Sequence, residues 1–153
     1  MLTVSEITLE DDLDGLVDQI NKAVWDDAND MAVYDTDSLR AYLERQDTIF
    51  IACHEQTDAG TVLMGIASSR LELKPYDKER WLYVDEVDVC VDQRKKGAGK
   101  LIMKTLIKIA EDRGCLEVWL GTEVDNDAAN ALYRSLDPDD ESRFVGYAFE
   151  TGD

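Results

Sequence analysis

The residues with the clearest chemical potential are Arg94-Lys95-Lys96-Gly97-Ala98-Gly99, placed where an apolar strand gives way to an amphipathic helix. Glycines there let the backbone approach an anion closely, and the first N–H groups of the helix have no partner inside it. A phosphate or diphosphate would satisfy those donors and gain from the helix dipole. The spacing fits neither the P-loop G-x-x-x-x-G-K-[ST] nor the dinucleotide fingerprint G-x-G-x-x-G. Lys96, Lys100, Lys104 and Lys108 then recur every four residues and wind along one helix face. An ordinary solvated face would explain the lysines alone; the glycine loop ahead of them favours an anion site.

The basic island stands out because the chain is so acidic. It has 34 Asp plus Glu against 16 Lys plus Arg, a formal charge of −18 and a pI near 4.2. Between Arg94 and Arg113, seven basic residues face only Glu111 and Asp112, so this window carries +5 of the total −18 and the remainder carries −23. Such a field repels nucleic acid and anionic lipid and attracts cations. It suits either solubility in a salty or crowded cytoplasm or the steering of a polycationic guest; charge alone leaves both open.

Length and composition set the outer limits. A chain of 153 residues has room for one domain, 1–153, with a core that needs neither metal nor disulfide. No apolar run reaches the roughly 18 residues of a membrane span. The N-terminus lacks the basic-then-apolar layout of a signal peptide. Cys53, Cys90 and Cys115 form an odd, widely spaced set without a C-x-x-C pair. They read as reduced thiols of a cytoplasmic protein, with no metal site expected.

These features need elements to position them. Leu2 to Leu9 reads as a strand, and Asp11 and Asp12 open a helix with apolar Leu13, Leu16, Val17, Ile20 and Val24. Asp37 or Ser38 caps a second helix. Thr48–His54 and Thr61–Leu73 form a hairpin about the turn Asp58-Ala59-Gly60. Trp81–Val91 is a long strand carrying Asp85, Glu86 and Asp88, and Gly97–Arg113 is a helix. Leu116–Gly121 reads as a short strand, Asn126–Leu136 as a helix and Phe144–Glu150 as a closing strand. An antiparallel meander followed by a crossover unit implies an α/β fold: a mixed, mostly antiparallel sheet of six or seven strands, with about four helices on both faces.

Three motifs in this order resemble the GNAT superfamily of N-acetyltransferases: the strand Val84-Asp85-Glu86-Val87-Asp88-Val89, then R-x-x-G-x-G at Arg94, Gly97 and Gly99, then Asn126-x-x-Ala129-x-x-x-Tyr133. Leu73-Lys74-Pro75, Ala131-Leu132-Tyr133 and the acidic C-terminal segment are similar to small aminoglycoside 3-N-acetyltransferases. Asp137-Pro138-Asp139-Asp140 stands where the family usually has Leu-Gly-Phe, so the last loop departs from the family's pattern.

The resemblance implies acetyl-CoA as cosubstrate and a primary amine of a cationic small molecule as acceptor, an aminoglycoside first, attacked directly in a ternary complex. A polyamine, a protein amine or a CoA-binding module without turnover are the alternatives, and a homodimer is suggested. An ammonium must lose a proton before it attacks, which assigns the base to Glu86 or else Asp85. Strand alternation separates the two, but a bulge of the kind the family implies would upset that parity. Val89 would donate its amide to the developing oxyanion, and Tyr133 would protonate the leaving thiolate. Val87, Val89 and Val91 would line the pantetheine arm, with Asn126 and Ala129 beside it. Arg94, Lys95, Lys96, Gly97, Ala98, Gly99 and Lys100 would hold the phosphates. Asp85, Glu86, Glu123, Asp125 and Glu150 would draw in the amine. His54 reads as a strand end, Cys90 as inert, and Trp25, Trp81 and Trp119 as packing residues.

Overall fold

The β-branched and apolar run from Thr48 to Cys53 forms the buried middle of β2 (Thr48–Thr57), with Ile49, Phe50, Ile51, Ala52 and Cys53 all nearly inaccessible. A strand buried on both faces needs a neighbour on each edge and a layer on each side. The computed structural model, which describes residues 1–93 and 96–152, supplies both. β1 (Leu2–Glu6) and β3 (Gly60–Leu73) flank β2, and β4 (Arg80–Val89) and β5 (Glu117–Trp119) complete a sheet ordered β1-β2-β3-β4-β5. The first three ladders are antiparallel and the β4–β5 ladder is parallel.

Helices cover both faces. α1 (Leu13–Lys22) starts at Asp12, whose carboxylate accepts the Gly15 amide; α2 (Thr36–Glu44) starts at Asp35, which accepts the Ser38 amide. Asp35 is therefore the cap, not Asp37 or Ser38: the side chain with the right reach lies three residues before the amide it satisfies. Leu13, Leu16, Val17, Ile20 and Leu39 pack on Phe50, Ala52, Leu63 and Ile66. Val24 falls beyond the end of α1 and is 58% exposed. α3 (Ala98–Asp112) lies on the opposite face, burying Ala98, Ile102, Met103, Leu106 and Ala110. Gly65 makes that approach possible. A Cβ there would sit 2.7 Å from the Asp88 carbonyl oxygen and 2.9 Å from Ile102 Cδ1. Gly65→Ala should therefore cost about 1–2 kcal/mol by overpacking, seen as a lower urea midpoint with an unchanged slope.

The chain forms two compact units, 1–121 and 122–153. The sheet, with α1 to α3, belongs to the first; α4 (Asp127–Arg134) belongs to the second. The expectation of six or seven strands is corrected to five among the described residues. The strand expected over Leu116–Gly121 shrinks to Glu117–Trp119. Phe144–Glu150 is in no strand, and Phe144, Val145, Tyr147 and Phe149 are 56%, 74%, 82% and 85% exposed. Apolar and β-branched residues describe a surface a strand could use, but a ladder needs a partner edge, which the segment's own residues do not specify. Among the described residues no helix is long and apolar enough to cross a membrane.

Candidate active site

The long strand β4 carries an irregularity at its centre. Ser68 pairs with Glu86 but the next residue of β3, Ser69, pairs with Val84, so Asp85 is the extra residue of a bulge. A bulge leaves one residue unpaired and re-aims its neighbours. Asp85 turns to Arg70, whose guanidinium binds its carboxylate as well as that of Glu72 at 2.7 Å. Glu86 stays exposed on the face that Ser68 and Arg70 share. Asp88, two residues further along the same face, is only 5% exposed, and its Oδ2 has no hydrogen-bond partner among the described residues. Burial, then repulsion from Glu86, pushes the Asp88 carboxyl up to about 6, against a smaller opposing hydrogen bond from Asn29. Tyr34 stands on the same side, its phenol pushed up to about 12 by burial and then by Glu86 and Asp88. The Asn21 side chain fixes the Tyr34 backbone with two hydrogen bonds of 2.8 and 2.9 Å, and the Tyr34 ring meets Phe50 edge-on at 6.1 Å.

β5 pairs with Trp81, Leu82 and Tyr83, and beyond the bulge that edge of β4 carries no ladder among the described residues. The Cys90 amide donates to the Met64 carbonyl at 2.9 Å, so by antiparallel alternation the amides of Val87 and Val89 point to the other edge, which carries no ladder there among the described residues. Val91 differs: its amide donates to the Val24 carbonyl at 2.9 Å, leaving its carbonyl as the group it can offer.

The chain then enters α3 through Gly97, whose φ of +87° suits glycine and whose missing Cβ faces open space. Gly97 has no side chain to cap the helix, and the first turn holds no acidic residue. The amides of Ala98, Gly99 and Lys100 therefore start a helix whose positive end is available to an anion. Lys100 is exposed, and Lys96 is exposed and forms a 3.6 Å ion pair with Glu55. Arg94 and Lys95 lie outside the described residues.

In the second unit, Asn126 caps α4, its Oδ1 accepting the Ala129 amide at 3.1 Å. It thus precedes the helix, and its carbonyl oxygen is engaged; the side-chain NH₂ is what it keeps for a ligand. Ala129 and Tyr133 sit one turn apart on α4, both half-buried. Glu123, Asp125 and Glu150 are exposed, and Glu150 sits in no strand.

Cys90 is buried, donates to the Leu63 carbonyl at 3.4 Å and has its thiol pushed up to about 12 by burial, away from the thiolate form that reacts. Among the described residues no group of His, Cys, Asp or Glu could hold a metal ion. His54 lies inside β2 rather than at its end, its Nε2 3.0 Å from Gln19 Oε1, and burial lowers its pKa. Asp88 has no role among the expectations drawn from the sequence. Its spacing of two from Glu86 within a strand was the available signal, because period two puts both on one face.

The comparisons with known proteins follow this geometry. The model of the acetyltransferase (GNAT) family matches residues 17–137. No curated protein sequence matches the chain. Among solved structures, an aminoglycoside acetyltransferase from an uncultured soil metagenomic sample, in complex with sisomicin, superposes with a TM-score of 0.83 at 18% identity, covering 99% of this chain and 97% of that one. A Trypanosoma brucei acetyltransferase gives 0.73 at 17% identity over 97% and 100% of the two chains. The ribosomal-protein-alanine N-acetyltransferase of Brucella melitensis biovar Abortus 2308 gives 0.71 at 17% over 99% and 100%. At such identities these likenesses establish the fold, and the family match, spanning most of the chain, settles the rest: the chain belongs to the acetyltransferase (GNAT) family, enzymes whose cosubstrate is acetyl-CoA.

Proposed function

We propose that this enzyme acetylates a primary amine of a cationic small molecule, an aminoglycoside first and its 3-amino group in particular, by direct attack in a ternary complex, with residues 1–153 acting as one catalytic domain in the cytoplasm. The observation that carries the reading is the Glu86–Asp88 carboxylate pair, set on one face of β4 beside an open strand edge in a chain of net charge −18. Aminoglycoside chemistry is supported by neighbours such as the sisomicin complex, and free cysteines suit a reducing compartment.

Bound acetyl-CoA supplies an activated acetyl thioester. The protein's own groups do the rest. Glu86, exposed, takes the proton that the incoming ammonium must lose, and the buried Asp88 carboxyl lies two residues further along the same face. Asp85 is released from the role of base because Arg70 already holds it. The amide of Val89 receives the carbonyl oxygen as it gains charge, and Val87 with the Val91 carbonyl lines the pantetheine. The α3 amides, Lys96, Lys100 and, in sequence, Arg94 and Lys95 hold the phosphates. Asn126 offers its amide NH₂, Ala129 gives room, and Tyr133 returns a proton to the departing thiolate. Glu123, Asp125 and Glu150 add to the field that concentrates the amine.

Gentamicin, spermidine and a lysine peptide, each incubated with enzyme and acetyl-CoA and analysed by mass spectrometry, test the acceptor. A +42 Da product on gentamicin alone is expected; acetylated peptide alone would overturn the small-molecule reading. Tyr133→Phe should lower kcat about tenfold with CoA affinity nearly unchanged by calorimetry, and an unaltered kcat would remove Tyr133 from the chemistry.

A further inference from the structure

The sequence reading takes Trp25, Trp81 and Trp119 as packing residues, and Trp25 behaves so: it packs on the α1–α2 core and its Nε1 donates to the Ile20 carbonyl at 2.8 Å. The other two are arranged differently. Register places Glu72, Trp81 and Glu117 in one row across β3, β4 and β5, and Arg70, Tyr83 and Trp119 in the next, on one face of the sheet. Trp81 and Tyr83 stack with centroids 5.9 Å apart, and Tyr83 meets Trp119 at 5.7 Å. Neither Trp81 nor Tyr83 is buried, and Trp119 is 38% exposed. Three adjoining rings on an accessible sheet face are more than a core needs.

The rings already hold a cation. Lys74, from the loop after β3, places its Nζ 4.2 Å from the Trp81 ring centroid and 4.7 Å from that of Tyr83, and donates to the Tyr83 hydroxyl. Arg70 lies 5.3 Å over Tyr83 from the other strand. Carboxylates border the rings: Glu79 accepts from Trp81 Nε1 at 2.9 Å, and Glu72 and Asp85 flank Arg70. This is the chemistry that recognises an organic ammonium, with ring faces for the cation and acids nearby. The tenant is a flexible lysine on a loop, tied to the rings by one hydroxyl.

The same face leads to Glu86. Ser68, which pairs with Glu86, is two residues from Arg70 and four from Glu72, the partners of Tyr83 and Trp81. At strand rise the rings therefore lie about 7 to 13 Å from the Glu86 row. A guest with two ammonium groups that far apart can present one to Glu86 and rest the other on the rings; a monoamine cannot.

We propose that Trp81 and Tyr83, bordered by Trp119, form a second ammonium subsite that selects acceptors with at least two amines, and that the Lys74 ammonium holds it until a guest ammonium displaces it. This rests on Glu86 being the reacting end, as proposed above, but the ring site can be read without turnover.

The test is calorimetric titration of the full-length enzyme with spermidine and with butylamine, in the absence of acetyl-CoA, followed by KM measurements. Spermidine should bind at least tenfold more tightly than butylamine. Trp81→Leu should weaken spermidine about tenfold and leave butylamine unchanged, and Lys74→Met should tighten spermidine several-fold by vacating the rings. In turnover, Trp81→Leu should raise KM for gentamicin with kcat retained. Equal spermidine affinity in wild type and Lys74→Met overturns the proposal, whether or not Trp81→Leu folds, as does equal affinity of wild type for the two amines. Ring-dependent binding without any acetylated product would instead keep the subsite and sink the acetyl-transfer reading.

Discussion

Glu86→Gln should lower kcat for amine acetylation by about 10²–10³-fold, with acetyl-CoA affinity by calorimetry within twofold of wild type. The variant keeps the shape and polarity of an exposed side chain and removes only its ability to take a proton. Position argues for a large effect: Glu86 stands immediately past the bulge, on the face where Asp88 and Tyr34 gather, and its neighbours Val87 and Val89 turn amides to the open edge. Asp88 is held near 6 by burial and by the neighbouring Glu86 charge, so wild-type kcat should fall on the acid side of about pH 6 as Asp88 gains a proton and the charge behind Glu86 is lost. That limb should move to lower pH in the residual rate of Glu86→Gln, where the repulsion that helps raise Asp88 is gone. Asp85→Asn is the control. It breaks a half-exposed ion pair with Arg70 and should change kcat less than threefold. A Glu86→Gln enzyme retaining half its turnover, or an Asp85→Asn enzyme losing most of it, would move the base elsewhere.

The contrast between Asp85 and Glu86 shows what the amino-acid sequence could and could not decide. The string Val84-Asp85-Glu86-Val87-Asp88-Val89 reads correctly as a strand, and alternation separates the two adjacent acids. It cannot say which face either takes, because the bulge that sets the parity is a property of the β3–β4 register, fixed where Ser68 and Ser69 skip a partner. The glycine loop was legible for a local reason: Gly97 has a left-handed φ at a helix start, and only the residue type is needed to suspect it. The helices were legible by period, with Leu13, Leu16, Val17 and Ile20 buried as their spacing demands. Ends were less so, as Asp35 capping α2 shows. Phe144–Glu150 and the aromatic rows of Trp81, Tyr83 and Trp119 lay beyond reach in the same way, since strand partners and cross-strand neighbours are chosen by tertiary register.

Asp88→Asn should raise stability at pH 8 and leave it nearly unchanged at pH 4. Asp88 is a folded-state acid whose pKa is raised, from 3.8 to about 6, chiefly by burial. Below about pH 4 both folded and unfolded chains hold the proton, and the carboxyl adds no pH-dependent cost. Between about 4 and 6 the folded state keeps a proton that the unfolded state releases, so stability falls as pH rises through this window. Above about 6 the whole cost of a buried carboxylate stands, up to about 3 kcal/mol by the linkage of pKa to free energy. Asparagine has the same outline without the charge, so the gap in melting temperature between variant and wild type should open from pH 4 to pH 7 and then level off. Taking the difference between the two proteins cancels the self-repulsion of a surface at −18, which also grows with pH. If the same variant gains stability yet loses turnover, the buried charge is being held against the fold's own preference by the chemistry beside Glu86, a trade that active sites make routinely. A gap of equal size at pH 4 and pH 8 would instead mean that folding leaves the Asp88 carboxyl at its ordinary value, and the fall of kcat near pH 6 could not be assigned to it.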